Sequence, residues 1–249
     1  MLHLRPLPGS PQFGGSMPGI ADAMLRDAEA LVSGGVHGLM LENYGDVPFY
    51  PGAVPPHVIA HMTALAIQIT RRFDSPLGIN VLRNDALGAL SVAHAAGAAF
   101  IRVNILCGAR VTDQGIIQGN AHELLRLRRT LGAEQIRVLA DVDVKHSAPL
   151  AARVLEDEVD DTIHRGLADA LIVSGAGTGK ATDPEHARRI KAAAGDVPVL
   201  IGSGATTETI AALAPHCDGF IVGSAFKQAG SAVNPVDSAR VRAFMERIG

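Results

Sequence analysis

Eight short apolar runs, each followed by a helical pattern, dominate the 249-residue chain. The runs cover residues 1–4, 38–43, 76–82, 100–106, 136–144, 170–174, 198–202 and 219–223. Helical patterns follow them at 20–33, 55–73, 86–96, 119–131, 155–165, 184–194, 207–214 and 235–248. Within 55–73, Val58, Met62, Leu65, Ala66 and Ile69 recur on one face, as an amphipathic helix requires. Asp183-Pro184 and Asn234-Pro235 each put a capping side chain before a first-turn proline. Strand–helix alternation lays parallel strands side by side with helices outside. Eight even units predict a closed (β/α)8 barrel forming one domain over 1–249, for which about 250 residues is typical. A doubly wound open sheet is the alternative, but it rarely uses eight units this even.

Composition narrows the partners. Hydrophobic residues make up 47% and charged residues 19%, enough apolar surface for a large core. The 22 Lys and Arg nearly balance 25 Asp and Glu, so no basic footprint invites nucleic acid or an anionic membrane. No segment reaches the ~18 consecutive apolar residues of a membrane span, and the opening residues lack the long apolar region of a signal peptide. A cytoplasmic protein is therefore expected, and barrels of this size lead one to expect a homo-oligomer. Cys107 and Cys217 stand far apart, without disulfide or zinc spacing.

A barrel of this kind carries its active site at the C-terminal strand ends. There the first strand reaches His3 and the second Glu42, while the third carries Asn80 and then Arg83-Asn-Asp85. Arg102 and Asn104 alternate on the fourth strand; Leu139, Asp141, Asp143 and Lys145 alternate on the fifth. Alternate residues share a face, so two carboxylates, a lysine and an arginine are expected to converge on the barrel axis. They either form a structural Arg–Asp plug or serve proton transfer. In the second reading Glu42 or Asp143 is the base, and Lys145 is the acid or electrophile. His3, Glu42, Asp141 and His146 could ligate a divalent ion such as Mg²⁺. No HxH or HExxH spacing orders them, so no metal ligand is assigned and no cofactor is required.

The seventh and eighth strands run into Gly202-Ser203-Gly204 and Gly223-Ser224, where barrels often bind phosphate on loop amides. The sixth ends Ser174-Gly175-Ala-Gly177-Thr-Gly-Lys180, which fails both the Walker and the dinucleotide patterns. An anion-contacting loop using Gly175, Gly177 and Lys180 is the better reading. Tyr44, Phe49 and Tyr50 border a long loop suited to a lid.

Long runs of this sequence resemble the BtpA family (BtpA/SgcQ-like proteins). They are His3-Leu-Arg-Pro-Leu-Pro-Gly-Ser10, Glu42-Asn-Tyr-Gly-Asp-Val-Pro-Phe49, Gly78-Ile-Asn-Val-Leu-Arg-Asn-Asp85 and Phe100-Ile-Arg-Val-Asn104. Val111-Thr-Asp-Gln-Gly-Ile-Ile117, Asp141-Val-Asp-Val-Lys-His146 and Ser174-Gly-Ala-Gly-Thr-Gly-Lys180 continue the likeness. The resemblance implies a phosphate-binding TIM barrel of the ribulose-phosphate-binding type. It also implies two different roles. Some members look like enzymes of sugar phosphates, here one with lyase- or isomerase-type carbonyl chemistry. The name-giving member is a cyanobacterial factor for photosystem I biogenesis, which implies a non-catalytic assembly role instead.

Overall fold

The computed structural model describes residues 1–175 and 182–248. Eight of its strands form one parallel sheet: β1 (Leu2–His3), β2 (Leu39–Glu42), β3 (Leu77–Asn80), β4 (Phe100–Val103), β7 (Arg137–Val142), β9 (Ala170–Val173), β10 (Val199–Ile201) and β11 (Gly219–Phe220). Their spatial order is their chain order, as in a (β/α)8 TIM barrel. At the seam the backbone nitrogen of Met1 donates to Val222 O at 2.9 Å, joining the first strand to the segment after the last.

The interior side chains are layered with the period of two that a strand imposes. Phe100, Leu139, Ala170, Ile172, Leu200 and Ile221 pack as an apolar floor. Two residues further along β4 and β7 come Arg102 and Asp141, and beyond Ile172 comes Ser174. Gly78 pairs with Phe100 across the β3–β4 ladder, and a side chain there would meet the Phe100 ring at 2.0 Å. The glycine makes room for the floor's aromatic.

Helices α1 (Met17–Ser33), α2 (Pro56–Arg72), α3 (Ala86–Ala96), α4 (Ala121–Thr130), α5 (Leu155–Asp160), α6 (Pro184–Ala193), α7 (Ile210–Leu213) and α8 (Ser238–Ile248) ring the sheet. The apolar stripe of α2 is buried at Val58, Met62, Leu65, Ala66 and Ile69. Each such leucine or isoleucine contributes about 1.5–3 kcal/mol by leaving water. Asp183 caps α6 through Glu185 N at 3.1 Å. Asn234 does not cap α8: its amide reaches Gln228 O, and Asp237 Oδ1 accepts from Ala239 N at 2.9 Å instead. The helix thus starts three residues later than its proline suggests. The unit expected at 155–165 keeps α-geometry only to Asp160 and widens into a π-helical turn over Asp161–Arg165.

A feature absent from the sequence reading crosses the mouth. Strands β5 (Ala109–Thr112), β6 (Gly115–Gln118) and β8 (Ser147–Pro149) form a separate antiparallel sheet, ordered β6-β5-β8. Its small core is Ile105, Ile117 and Val144. The β5–β6 hairpin turns at Thr112, whose hydroxyl donates to Gly115 O at 3.0 Å. Among the described residues no helix is long and apolar enough to cross a membrane.

Candidate functional site

The middle layer of the barrel is a polar network in which one buried acceptor, Asn80 Oδ1, has no partner among the described residues. Arg102 donates from Nε to Asp141 Oδ2 at 2.8 Å and from Nη2 to Oδ1 at 2.7 Å. Asn104 Nδ2 reaches Oδ2 at 3.1 Å and Ser174 Oγ reaches Oδ1 at 3.0 Å. Asn80 Nδ2 donates to Arg102 O and to Asn104 Oδ1. Asp141 therefore receives two donors on each oxygen in a nearly dry interior. A carboxylate so placed has its acceptor capacity filled by these four donors. Arg102, in turn, is held charged by Asp141 against its own desolvation, with its basicity raised.

Above this network lies a cleft with two lobes. The narrow lobe, about 220 Å³, is lined by His3, Glu42, Tyr44, Lys145, residues 202–206 and 223–225, and Arg240. The wide lobe, about 490 Å³, adds Arg83, Asn104, Asp113, Gln114, His146 and the barrel-facing Phe49. Glu42, Tyr44, Arg102 and Lys145 border both.

Glu42 and Lys145 carry opposite perturbations. Burial pushes the Glu42 carboxyl above its ordinary value, against the pull of Arg102 and Lys145. Burial likewise pushes the Lys145 amine down, helped by Arg102 and opposed by Glu42. Both shifts bring an acid and a base toward neutral pH, the range in which proton transfer is efficient. His3 completes the wall. Its Nδ1 lies 3.0 Å from Ala232 O, so the proton sits on Nδ1 and Nε2 is left as an acceptor, 3.8 Å from Glu42 Oε1. Burial lowers the His3 pKa to about 3, and the neutral ring stacks on Tyr44 at 4.5 Å.

Asp143 is not with them. The strand reading placed it beside Asp141 and Lys145, but β7 ends at Val142 and Asp143 takes φ +51°. Aspartate tolerates this left-handed conformation better than most residues. Its half-exposed carboxylate leaves the barrel for Arg110 Nη2 and stands 3.7 Å from His186 Nε2. Arg110 also donates to Glu158 Oε1 at 3.2 Å and Ser147 Oγ at 2.6 Å. Asp143 thus anchors the small sheet through Arg110, while Lys145 borders the cleft.

The glycine loops divide in the same way. Gly202 N is spent on Val173 O at 2.7 Å, and a Cβ at this position would meet Ile172 at 2.4 Å. Gly175 N donates to Ser203 Oγ at 2.8 Å, so these residues build the loop. The N–H groups of Gly204, Ala205, Ser224 and Ala225 have no acceptor among the described residues. They border the narrow lobe beside Gly223 and Arg240, whose Nε donates to Ala225 O at 2.7 Å. Gly177 and Lys180 lie outside the described residues. Among the described residues, no three His, Cys, Asp or Glu side chains gather to hold a metal ion. Of the lid candidates, Tyr44 and Phe49 border the cleft, whereas Tyr50 lines a separate cavity with Ser10 and His57. Arg83 stands among the polar strand-end residues of the sequence without an assigned role, and Arg240 is not singled out there: it comes from a helix rather than a strand end, where no pattern marks it.

The fold and its cleft define a TIM-barrel protein with a polar, ligand-sized site at the C-terminal mouth. The chain belongs to the BtpA family, whose profile matches residues 1–249. It is 45% identical over 246 residues to the Photosystem I biogenesis protein BtpA of Synechocystis sp., covering 99% of this chain and 85% of the relative. It is 44% identical to the uncharacterized protein TK2179 of Thermococcus kodakarensis, covering 99% of this chain and 92% of that one. Among solved structures, native KDPGal superposes with a TM-score of 0.58 at 15% identity, covering 92% of this chain and 89% of that one. Phosphoribosyl anthranilate isomerase from Thermus thermophilus gives 0.57 at 16% identity, covering 90% and 93%. At such identities the likeness is one of fold.

Proposed function

We propose that the protein is an enzyme of a small phosphorylated metabolite, moving a proton beside a carbonyl in lyase- or isomerase-type chemistry. The observation that carries this reading is the oppositely perturbed pair, Glu42 and Lys145, on the wall between the two lobes. The phosphate would lie in the narrow lobe on the amides of residues 204–205 and 224–225, which have no acceptor among the described residues, with Arg240 supplying charge. Glu42 takes the proton; Lys145, close enough to Glu42 to influence it, donates to the oxygen on which charge develops. Asp141 and Arg102 act as positioning residues beneath.

The test is a thermal-shift panel of phosphorylated sugars and inorganic phosphate, with and without Mg²⁺, followed by incubation of any stabilising compound in D₂O. Binding to the folded state raises the midpoint by mass action. Deuterium appearing next to the carbonyl, and lost in Glu42→Gln, supports the reading. A panel in which no phosphorylated compound stabilises the protein overturns it.

A second reading has an observation of its own. Val111 and Ile116 stand opposite each other on the small sheet and are 43% and 57% exposed. Apolar side chains displayed in this way suit a protein partner, and the Synechocystis relative is named for a biogenesis role. An assembly factor of that kind would lose partner binding in Ile116→Glu and show no turnover.

A further inference from the structure

The wide lobe holds a cation that proton transfer does not use. Arg83 is 5% exposed, and its guanidinium is tied on one side, Nη2 donating to Lys145 O at 2.6 Å. Its Nε is buried with no acceptor among the described residues. A dry guanidinium N–H left unmade is costly, and the Arg83 side chain lines the wide lobe. At the rim Gln114 has the opposite deficit, its Oε1 lacking a donor among the described residues while Nε2 is held by Asp113.

The charges around Arg83 do not supply the missing acceptor. Asp141, Asp113 and Glu42 attract it and Arg102 repels it. Asp141 has both oxygens occupied by Arg102, Asn104 and Ser174, and among the described residues no hydrogen bond joins Glu42 to Arg83. Asp113 is exposed on the hairpin turn. A deep, forked, positively charged donor facing a cavity matches a planar carboxylate.

We propose that the wide lobe is a second anion subsite, in which Arg83 binds a carboxylate at the end of the substrate opposite its phosphate. This rests on the phosphate reading of the narrow lobe. The substrate class is then a phosphorylated hydroxy or oxo acid. Its phosphate lies in the narrow lobe, its carboxylate in the wide one, and its reacting carbon over the wall formed by Glu42 and Lys145. A hydroxyl near the carboxylate would donate to Gln114 Oε1.

The experiment compares acids with polyols of equal length by calorimetry: 3-phosphoglycerate with glycerol 3-phosphate, 4-phosphoerythronate with erythritol 4-phosphate, and 6-phosphogluconate with sorbitol 6-phosphate. Inorganic phosphate is the common reference. At one length or more the acid is expected to bind about tenfold tighter than its polyol, the worth of a charge-assisted pair. Arg83→Gln should bring that ratio to about one while leaving inorganic phosphate affinity unchanged. Arg83→Lys, which keeps the charge without the fork, should give an intermediate ratio, and it decides the matter if Arg83→Gln does not fold. Equal binding of acid and polyol at every length, with phosphate still bound, overturns this proposal and leaves the phosphate reading standing. So does an acid preference unchanged in both variants. Failure of inorganic phosphate and of every compound to bind overturns both.

Discussion

Arg102 and Asp141 are joined by two parallel hydrogen bonds inside the barrel, at 2.8 and 2.7 Å, with the arginine 3% and the aspartate 5% exposed. The pair divides the interior. Below it the side chains are apolar, and above it they are groups whose protonation is perturbed by burial. Both carboxylate oxygens are filled by Arg102, Asn104 and Ser174, so the pair is fixed by partners inside the barrel.

Breaking that pair from one side should be severe. Asp141→Ala leaves a dry guanidinium with its main partner gone and is expected to lower unfolding free energy by about 3–5 kcal/mol. Urea denaturation measures it. The double variant Asp141→Ala with Arg102→Met should lose less than the sum of the two single losses, because the pair acts as a unit.

Lys145 and Asp143 should separate in their effects although they are two residues apart. Lys145→Ala is expected to reduce turnover by about 10²–10⁴-fold while inorganic phosphate still raises Tm. Asp143→Ala should leave turnover within about tenfold of wild type and lower Tm, since it frees Arg110 on the small sheet. Equal kinetic losses in both would return Asp143 to the proton-transfer machinery.

Arg240 should matter to the anion and little to the fold. Arg240→Ala removes the cation beside residues 223–225 and is expected to weaken inorganic phosphate binding about tenfold, measured by calorimetry at fixed ionic strength. Unchanged affinity would place the phosphate elsewhere. Gly202→Ala is the contrasting change: its Cβ would meet Ile172 at 2.4 Å, so it should act on stability first.

The raised pKa of Glu42 makes a signed prediction for stability. Between its ordinary 4.5 and the raised folded value, the native state binds more protons than the unfolded chain. Stability contributed by this group is therefore present below the unfolded value and lost as pH rises through the folded one. Glu42→Gln should raise Tm near about pH 8 and change it little near about pH 4. The same gain at both pH values would trace the effect to packing.

Much of the barrel was readable because its strands need no special chemistry: apolar runs and a one-sided stripe such as that of α2 declare themselves. The small sheet was not, since β5, β6 and β8 are three or four residues long and only the turn at Asp113-Gln-Gly115 hints at a hairpin. Arg102, Asn104 and Asp141 followed strand alternation to their places. Asp143 did not, because alternation holds only while the backbone stays extended, and nothing local except aspartate's tolerance of positive φ announces the break. The glycines at 202 and 204 look alike in sequence, yet Gly202 packs against Ile172 with its amide bonded to Val173 O, whereas the Gly204 amide has no acceptor among the described residues.

The left-handed residues Asp143 and His146 also break the parity of this segment. Along an extended strand, residues 143 and 145 would share a side; here the carboxylate lies on Arg110 and the amine borders the cleft. Spacing in this segment therefore encodes which charge is inside, quite apart from which residues are present. Removing Val144 would keep Asp143 and Lys145 in the chain and still shift the lysine by one position relative to Asp143.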